Sequence, residues 1–238
     1  MALKIKYISL IHRMFKKTLA ELIVLLICVS TYANAAFALN LQDMKGVELL
    51  SQMRVALAEF AAVELDFEVV VEDGSGVKIG EVEGIVRAQG RSYKMVNNEM
   101  ELFCDGISKW ILMRGGGELV IMPNDTTASD IVENPVGFLS SLGLGNKDYN
   151  VSDKVKRVGG ELVVELSAAK KKGVPYKSMS VHVNGESKLP SLVEIVARDG
   201  SKYLIRITSV KSVPKLDNSQ FAFPESRLKD LTVTDLRS

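Results

Sequence analysis

Residues 93–122 read YKMVNNEMELFCDGISKWILMRGGGELVIM, and this stretch decides the fold. Apolar and aromatic residues recur along it in short runs. Asn97-Asn98, Asp105-Gly106 and Gly115-Gly116-Gly117 supply turn chemistry between the runs. Short extended segments joined by tight turns predict an antiparallel meander with hairpin-length connections. The stretch holds the chain's one tryptophan, Trp110, and it contains neither a nucleophile–base pair nor a set of metal ligands. It reads as a curved apolar wall, suited to binding before chemistry.

Toward the N-terminus the period of two continues. Val63, Leu65, Phe67, Val69 and Val71 alternate with Glu64, Asp66 and Glu68, which predicts a strand with one apolar and one acidic face. Asp73-Gly74-Ser75-Gly76 turns the chain. A second strand follows over 78–88, with Val82, Gly84, Val86 and Ala88 on one side. Upstream, apolar residues spaced by three and four over 40–60 predict an amphipathic helix capped near Asp43. That helix reads either as a helix packed on a sheet or as a plug across its concave face.

Toward the C-terminus helical spacing returns over 134–142. Pro135 suits its first turn, and Gly143 or Gly145 suits its end. Strands are predicted at 161–166, 177–183, 192–197 and 203–210, turning at 168–173, Asn184-Gly185 and Asp199-Gly200. Leu162, Val164, Leu166, Met179, Val181, Val183, Tyr203, Ile205 and Ile207 are expected to face inward. The sum is roughly ten or eleven short strands, one long helix and one short one. The fold class this predicts is mainly β with some helix (α+β): an unclosed antiparallel β-barrel whose helices cover its concave face.

The first residues look like an export leader. Lys4, Lys6, Arg13, Lys16 and Lys17 precede an apolar run over 22–29, followed by Ala33-Asn34-Ala35 and Ala36-Phe37-Ala38. A basic start, a short apolar core and an A-x-A site predict a signal peptide over 1–35, with cleavage after Ala35 or Ala38. The run is shorter than the ~20 residues a spanning helix needs. Met14-Phe15-Lys16-Lys17 offers an alternative start. Cys28 follows Leu26-Ile27 rather than a small residue, which argues against lipid attachment there. A single domain is expected over 39–238, exported to the periplasm and soluble there.

Without the leader, a chain of 30 basic and 29 acidic residues becomes slightly acidic, which speaks against a nucleic-acid partner. Cys104 is then the one cysteine left, so no internal disulfide is expected, and a lone thiol on a strand reads as a small buried hydrophobe. His182 alternates with Val181 and Val183 and is expected on the polar face with Ser178 and Ser180. No second histidine remains beside it, and no carboxylate pattern nearby, to build a triad or a zinc site. Gly115-Gly116-Gly117 lacks the Lys and Ser/Thr of a phosphate loop. Lys170-Lys171-Lys172 reads as a solubilising hairpin tip. These readings predict no enzyme, no catalytic residue, no metal and no cofactor.

An ordered set of motifs resembles the LolA-like outer-membrane lipoprotein carriers. It comprises the helix of 49–60 leading into 63–71, then Gly84-Ile85-Val86, Ser92-Tyr93-Lys94-Met95 and Asp105-Gly106…Trp110. Glu118-Leu119-Val120-Ile121, Asn134-Pro135 to Leu142, Phe221-Ala222-Phe223-Pro224 and 231–235 complete it. The resemblance implies a periplasmic carrier that binds acyl chains of lipoproteins and delivers them from the inner to the outer membrane. Its partners would be an inner-membrane lipoprotein-releasing transporter and an outer-membrane acceptor, and it would act as a monomer. A LolA-like sensor or regulator of lipid or lipoprotein, and a structural envelope protein with a self-filled core, remain open as alternatives. The expected acyl-chain cavity is lined from the strands by Leu65, Phe67, Val69, Val86, Tyr93, Met95, Leu102, Trp110 and Leu112. Phe138, Leu139 and Leu142 complete it from the second helix. The family's carriers have an arginine on the strand where Lys94 sits, bonded to backbone groups of the lid. Lys94 is therefore the expected lid-closing residue, with the charge but not the planar five-donor fork.

Overall fold

The computed structural model describes residues 44–124, 131, 133–143, 149–169 and 176–237. The chain divides into two units, 1–44 and 45–238, and the second carries every element named below. The leader with its two cleavage sites, the expected cap at Asp43 and the basic tip at 170–172 lie outside the described residues.

Helix α1 spans Gly46–Ala58 and is shorter than the spacing over 40–60 predicts. Lys45, in extended backbone and with no side-chain cap, precedes it, and strand β1 already begins at Ala62. The meander that follows is β1 (Ala62–Glu72), β2 (Lys78–Gln89), β3 (Ser92–Asn97), β4 (Met100–Cys104), β5 (Ser108–Met113) and β6 (Glu118–Pro123). Helix α2 (Pro135–Ser141) leads to β7 (Tyr149–Val158), β8 (Glu161–Ala168), β9 (Tyr176–Asn184), β10 (Pro190–Ala197) and β11 (Lys202–Val213). Two 3-10 turns, Asn218–Phe221 and Glu225–Asp230, precede β12 (Thr232–Asp235).

Among the described residues all twelve strands form one open sheet, ordered β12-β6-β5-β4-β3-β2-β1-β11-β10-β9-β8-β7. The β12–β6 pair is parallel and the other pairs are antiparallel. The predicted class, mainly β with an unclosed sheet and few helices, is the one observed. The two strands that the sequence spacing did not place, β7 and β12, sit at the sheet's two edges. The β9–β10 connection is also longer than a two-residue hairpin. Asn184 Oδ1 accepts from the amides of Glu186 and Ser187, and the loop runs to Pro190, passing through Lys188 at φ 59°.

Strand alternation gives the sheet two unlike faces. Val164, Val181, Val193, Ile205, Val69 and Val82 stand side by side from β8 to β2. Leu65, Val86, Met95 and Leu102 continue the same face from β1 to β4. Helix α1 lies on this inner face: a Cβ on Gly46 would meet Val164 Cγ2 at 2.5 Å and collide with the Ser152 carbonyl. The helix buries Leu49, Leu50, Met53 and Leu57, each worth about 1.5–3 kcal/mol on leaving water.

The outer face is charged over β11-β1-β2, where Glu64 meets Arg87 at 2.7 Å and Asp66 meets Lys211 at 3.5 Å. Over β4–β6 it turns apolar. Phe103, Leu112, Leu119 and Ile121 form a second buried cluster with Phe223, flanked by Trp110, Leu228 and Leu231. The chain after β11 therefore acts as a strap across the back of the sheet. Phe223 meets Phe103 edge-on at 5.4 Å, and β12 covers the β6 edge that would otherwise offer unpaired backbone.

Candidate functional site: the helix-covered face

The site is built from the middle of the meander. On β1, the period of two turns Leu65, Phe67 and Val69 inward, with 0%, 2% and 4% exposure. Phe67 needs Gly84 opposite it on β2, because a Cβ there would lie 2.6 Å from the ring. Tyr93 and Met95 on β3 and Leu102 on β4 share this face with Val86. Leu65, Val86, Met95, Leu102 and Leu139 are wholly buried, so side chains fill the space between helices and sheet.

Helix α2 is set by its ends. Asn134 Oδ1 accepts from the Gly137 amide at 2.9 Å, and Pro135 occupies the first turn, as its sequence predicts. Gly143 ends it at φ +77°, close against Leu50 of α1. Phe138, Leu139 and Leu142 are buried. The two helices are tied by Arg54 of α1, whose Nη1 donates to the Leu142 carbonyl at 2.5 Å. A second tie comes from the sheet: Lys109 Nζ meets Glu133 Oε2 at 2.7 Å, just before α2, with Lys109 8% exposed. Beside the helix pair a groove of about 320 Å³ opens between Val47, Leu142, Gly143, the edge-strand residues Tyr149 and Val151, and Leu166 of β8.

The twelve expected lining residues divide between the two faces. Leu65, Phe67, Val69, Val86, Tyr93, Met95 and Leu102 lie on the inner face, and Phe138, Leu139 and Leu142 are buried in and just after α2. Trp110 and Leu112 do not join them. Trp110 is paired with Phe103 and Ile121, and Leu112 with Leu119, all on the outer face under the strap. Lys94 also points outward, opposite Phe103, with Nζ 4.5 Å from that ring's centroid. One step of strand alternation separates it from inward-facing Met95, so it stands on the face away from the helices. Arg54 makes the bond to α2 instead. Its sequence signal was present, an arginine set into the apolar stripe of Leu49, Leu50, Met53 and Leu57, but its partner lies 88 residues away.

His182 is on the outer face as predicted, yet it has the carboxylate neighbours that spacing did not reveal. Nδ1 lies 3.0 Å from Glu161 Oε2 and Nε2 lies 3.9 Å from Glu194 Oε2. A hydrogen bond from Ser191 and then the imidazole hold the Glu161 carboxyl below its ordinary value, against partial burial. The two glutamates flank the ring instead of converging on one point. Among the described residues no group of three or more His, Cys, Asp or Glu is placed to hold a metal. Burial pushes the Cys104 thiol up, away from thiolate chemistry. Among the described residues no helix is long and apolar enough to cross a membrane.

No family model matches the chain, and no curated protein does. Among solved structures it is similar to an uncharacterized conserved protein from Thermus thermophilus. The TM-score is 0.51 at 13% identity, covering 79% of this chain and 97% of that one. It is also similar to a LolA superfamily protein from Nitrosomonas europaea, with TM-score 0.42, 12% identity and 76% and 98% of the two chains covered. For a putative outer membrane lipoprotein-sorting protein domain from Vibrio parahaemolyticus the figures are 0.43, 9%, 74% and 95%. Superposition at 0.42 and 0.43 is too loose to carry function across. What the chain shares with the Thermus protein is its fold, a long, open, mainly antiparallel sheet with helices on one face.

Proposed function

We propose that this protein is a carrier that takes the acyl chains of lipoproteins between the two helices and the inner face of the sheet. In this reading it is exported to the periplasm and moves its cargo from the inner to the outer membrane. It would receive cargo from a releasing transporter and hand it to an outer-membrane acceptor. The role is binding, not catalysis, and needs no cofactor. The observation that supports it most is the continuous apolar inner face, closed by a short helix pair that is tied through Arg54 and the Leu142 carbonyl. Cargo would enter beside that tie, at the groove between Val47, Leu142 and Val151.

Physics sets the terms of such a device. Each buried CH₂ is worth about 0.8 kcal/mol, but the chains are equally buried in either membrane, so the net difference for the carrier can be small. Carriage then needs two states of similar free energy, helices down on a filled core and helices raised over cargo. The filled inner face is the first of these. The same filling favours a second reading, a structural envelope protein whose core is its own side chains. Copurification separates the two: the protein is recovered from the periplasm of an exporting host and its bound molecules are weighed by mass spectrometry. A carrier brings lipoproteins with it. Free phospholipid alone would point to a lipid sensor, and an empty protein to the structural reading.

A further inference from the structure

The outer face of β3–β5 carries more positive charge than its carboxylates answer. Glu101 is the hub. Arg227 of the strap grips it with Nη1–Oε2 at 2.9 Å and Nη2–Oε1 at 3.1 Å, and Arg114 reaches the same carboxylate at only 3.4 Å. Lys94 stands on the neighbouring strand and the same face, two residues along from Val96, which is the partner of Glu101. Arg87 lies directly across from it on β2, already taken up by Glu64 at 2.7 Å. Lys94, Arg114 and Arg227 thus face one carboxylate.

Holding Lys94 there is costly. Burial pushes its ammonium pKa down first, the charges of Arg227, Arg87 and Arg114 push it further, and Glu101 alone opposes them. Among the described residues its Nζ has no ion-pair or hydrogen-bond partner, only the Phe103 ring beneath it. The strap does not need this arrangement, because the two-bonded Arg227–Glu101 pair and Phe223 already hold it. Lys94 and Arg114 are surplus to that clasp: Lys94 Nζ is open to a ligand, and Arg114 holds Glu101 only through a long contact at 3.4 Å.

We propose that Lys94 and Arg114 form the open half of a binding site for a phosphate-type oxyanion, seated on the Arg227–Glu101 pair. An ammonium on β3 and a guanidinium just beyond β5, flanking Glu101 from its two sides, suit an anion with several oxygens, and Glu101 is neutralised by Arg227. The ligand is therefore a free phosphate or the headgroup of an anionic phospholipid. This site is on the face opposite the helices and does not rest on the carrier reading.

Two probes test it on the full chain: inorganic phosphate by calorimetry, and flotation with vesicles of phosphatidylcholine alone or mixed with phosphatidylglycerol. The variants are Lys94→Gln, Arg114→Gln and Lys94→Arg, with Lys156→Gln on the far edge strand as a control. Loss of one charged donor is expected to weaken binding roughly tenfold in each Gln variant, while Lys94→Arg and Lys156→Gln bind as the parent does. Circular dichroism checks that each variant folds. Arg114 is exposed and weakly bonded, so its variant tests the site even if Lys94→Gln fails to fold. Phosphate binding without flotation assigns the site to a small anion; flotation with phosphatidylglycerol vesicles assigns it to a headgroup. Binding of neither probe, or binding that both folded Gln variants retain in full, overturns the proposal.

Discussion

Arg54 concentrates the behaviour of the helix pair in one side chain. Its guanidinium donates from α1 to the carbonyl that closes α2, a charge-assisted bond in a half-buried place. Arg54→Ala should loosen α2 by about 1–2 kcal/mol and speed amide exchange over 135–142, while the β1–β2 amides keep their protection. Unchanged exchange there would mean that Arg54 does not hold α2 in place. A second residue, Glu101, makes the strap sensitive to acid. Its carboxyl lies below the ordinary 4.5, first because Arg227 hydrogen-bonds it, with the charges of Arg227 and Arg114 adding to this against partial burial. A depressed folded pKa gives stability that is complete above 4.5 and is lost as the pH falls through the folded value. Protection of β12 should therefore fall in acid, and Glu101→Gln should remove that step; a step that survives the substitution would disprove the link. Lys94 shows where reading residue by residue stops. The alternation around it was visible, but the side of the sheet that carries helices is fixed by contacts far along the chain.

At the scale of elements, the strongest constraint is the seat of α1 on β7 and β8. Gly46 touches the Ser152 carbonyl and the methyls of Val151 and Val164 so closely that no side chain fits. Gly46→Val should lower stability by about 1–3 kcal/mol, read as a fall in the melting midpoint. A variant that melts with the parent would show that α1 is not seated there. The central strands were legible because each buries one face, which enforces a period of two over β1, β2, β8, β9 and β11. Strand β7 was not, since Ser152, Asp153 and Lys154 interrupt its pattern at the register break between Val151 and Val155. An edge strand is free to carry such residues, and Lys on an edge discourages pairing with other chains. Strand β12 is four exposed residues held by its parallel partner, and nothing local marks it as a strand.

At the largest scale, the described residues of the open sheet form two cores, one under the helices and one under the C-terminal strap. Sequence spacing revealed that apolar residues alternate in the stretch 93–122, but not that the better-buried side changes along it. Met95 and Leu102 serve the inner core, whereas Trp110, Leu112 and Leu119 serve the outer one. A carrier of acyl chains should use the first and leave the second untouched. The decisive measurement is site-specific photo-crosslinking in an exporting host, with the reactive side chain placed at Met95 in one version and at Trp110 in another. Acyl chains bound under the helices give crosslinks to lipoproteins from position 95 and none from 110. Crosslinks from 110 alone, or none from either in folded protein, would contradict acyl-chain carriage on the helix-covered face.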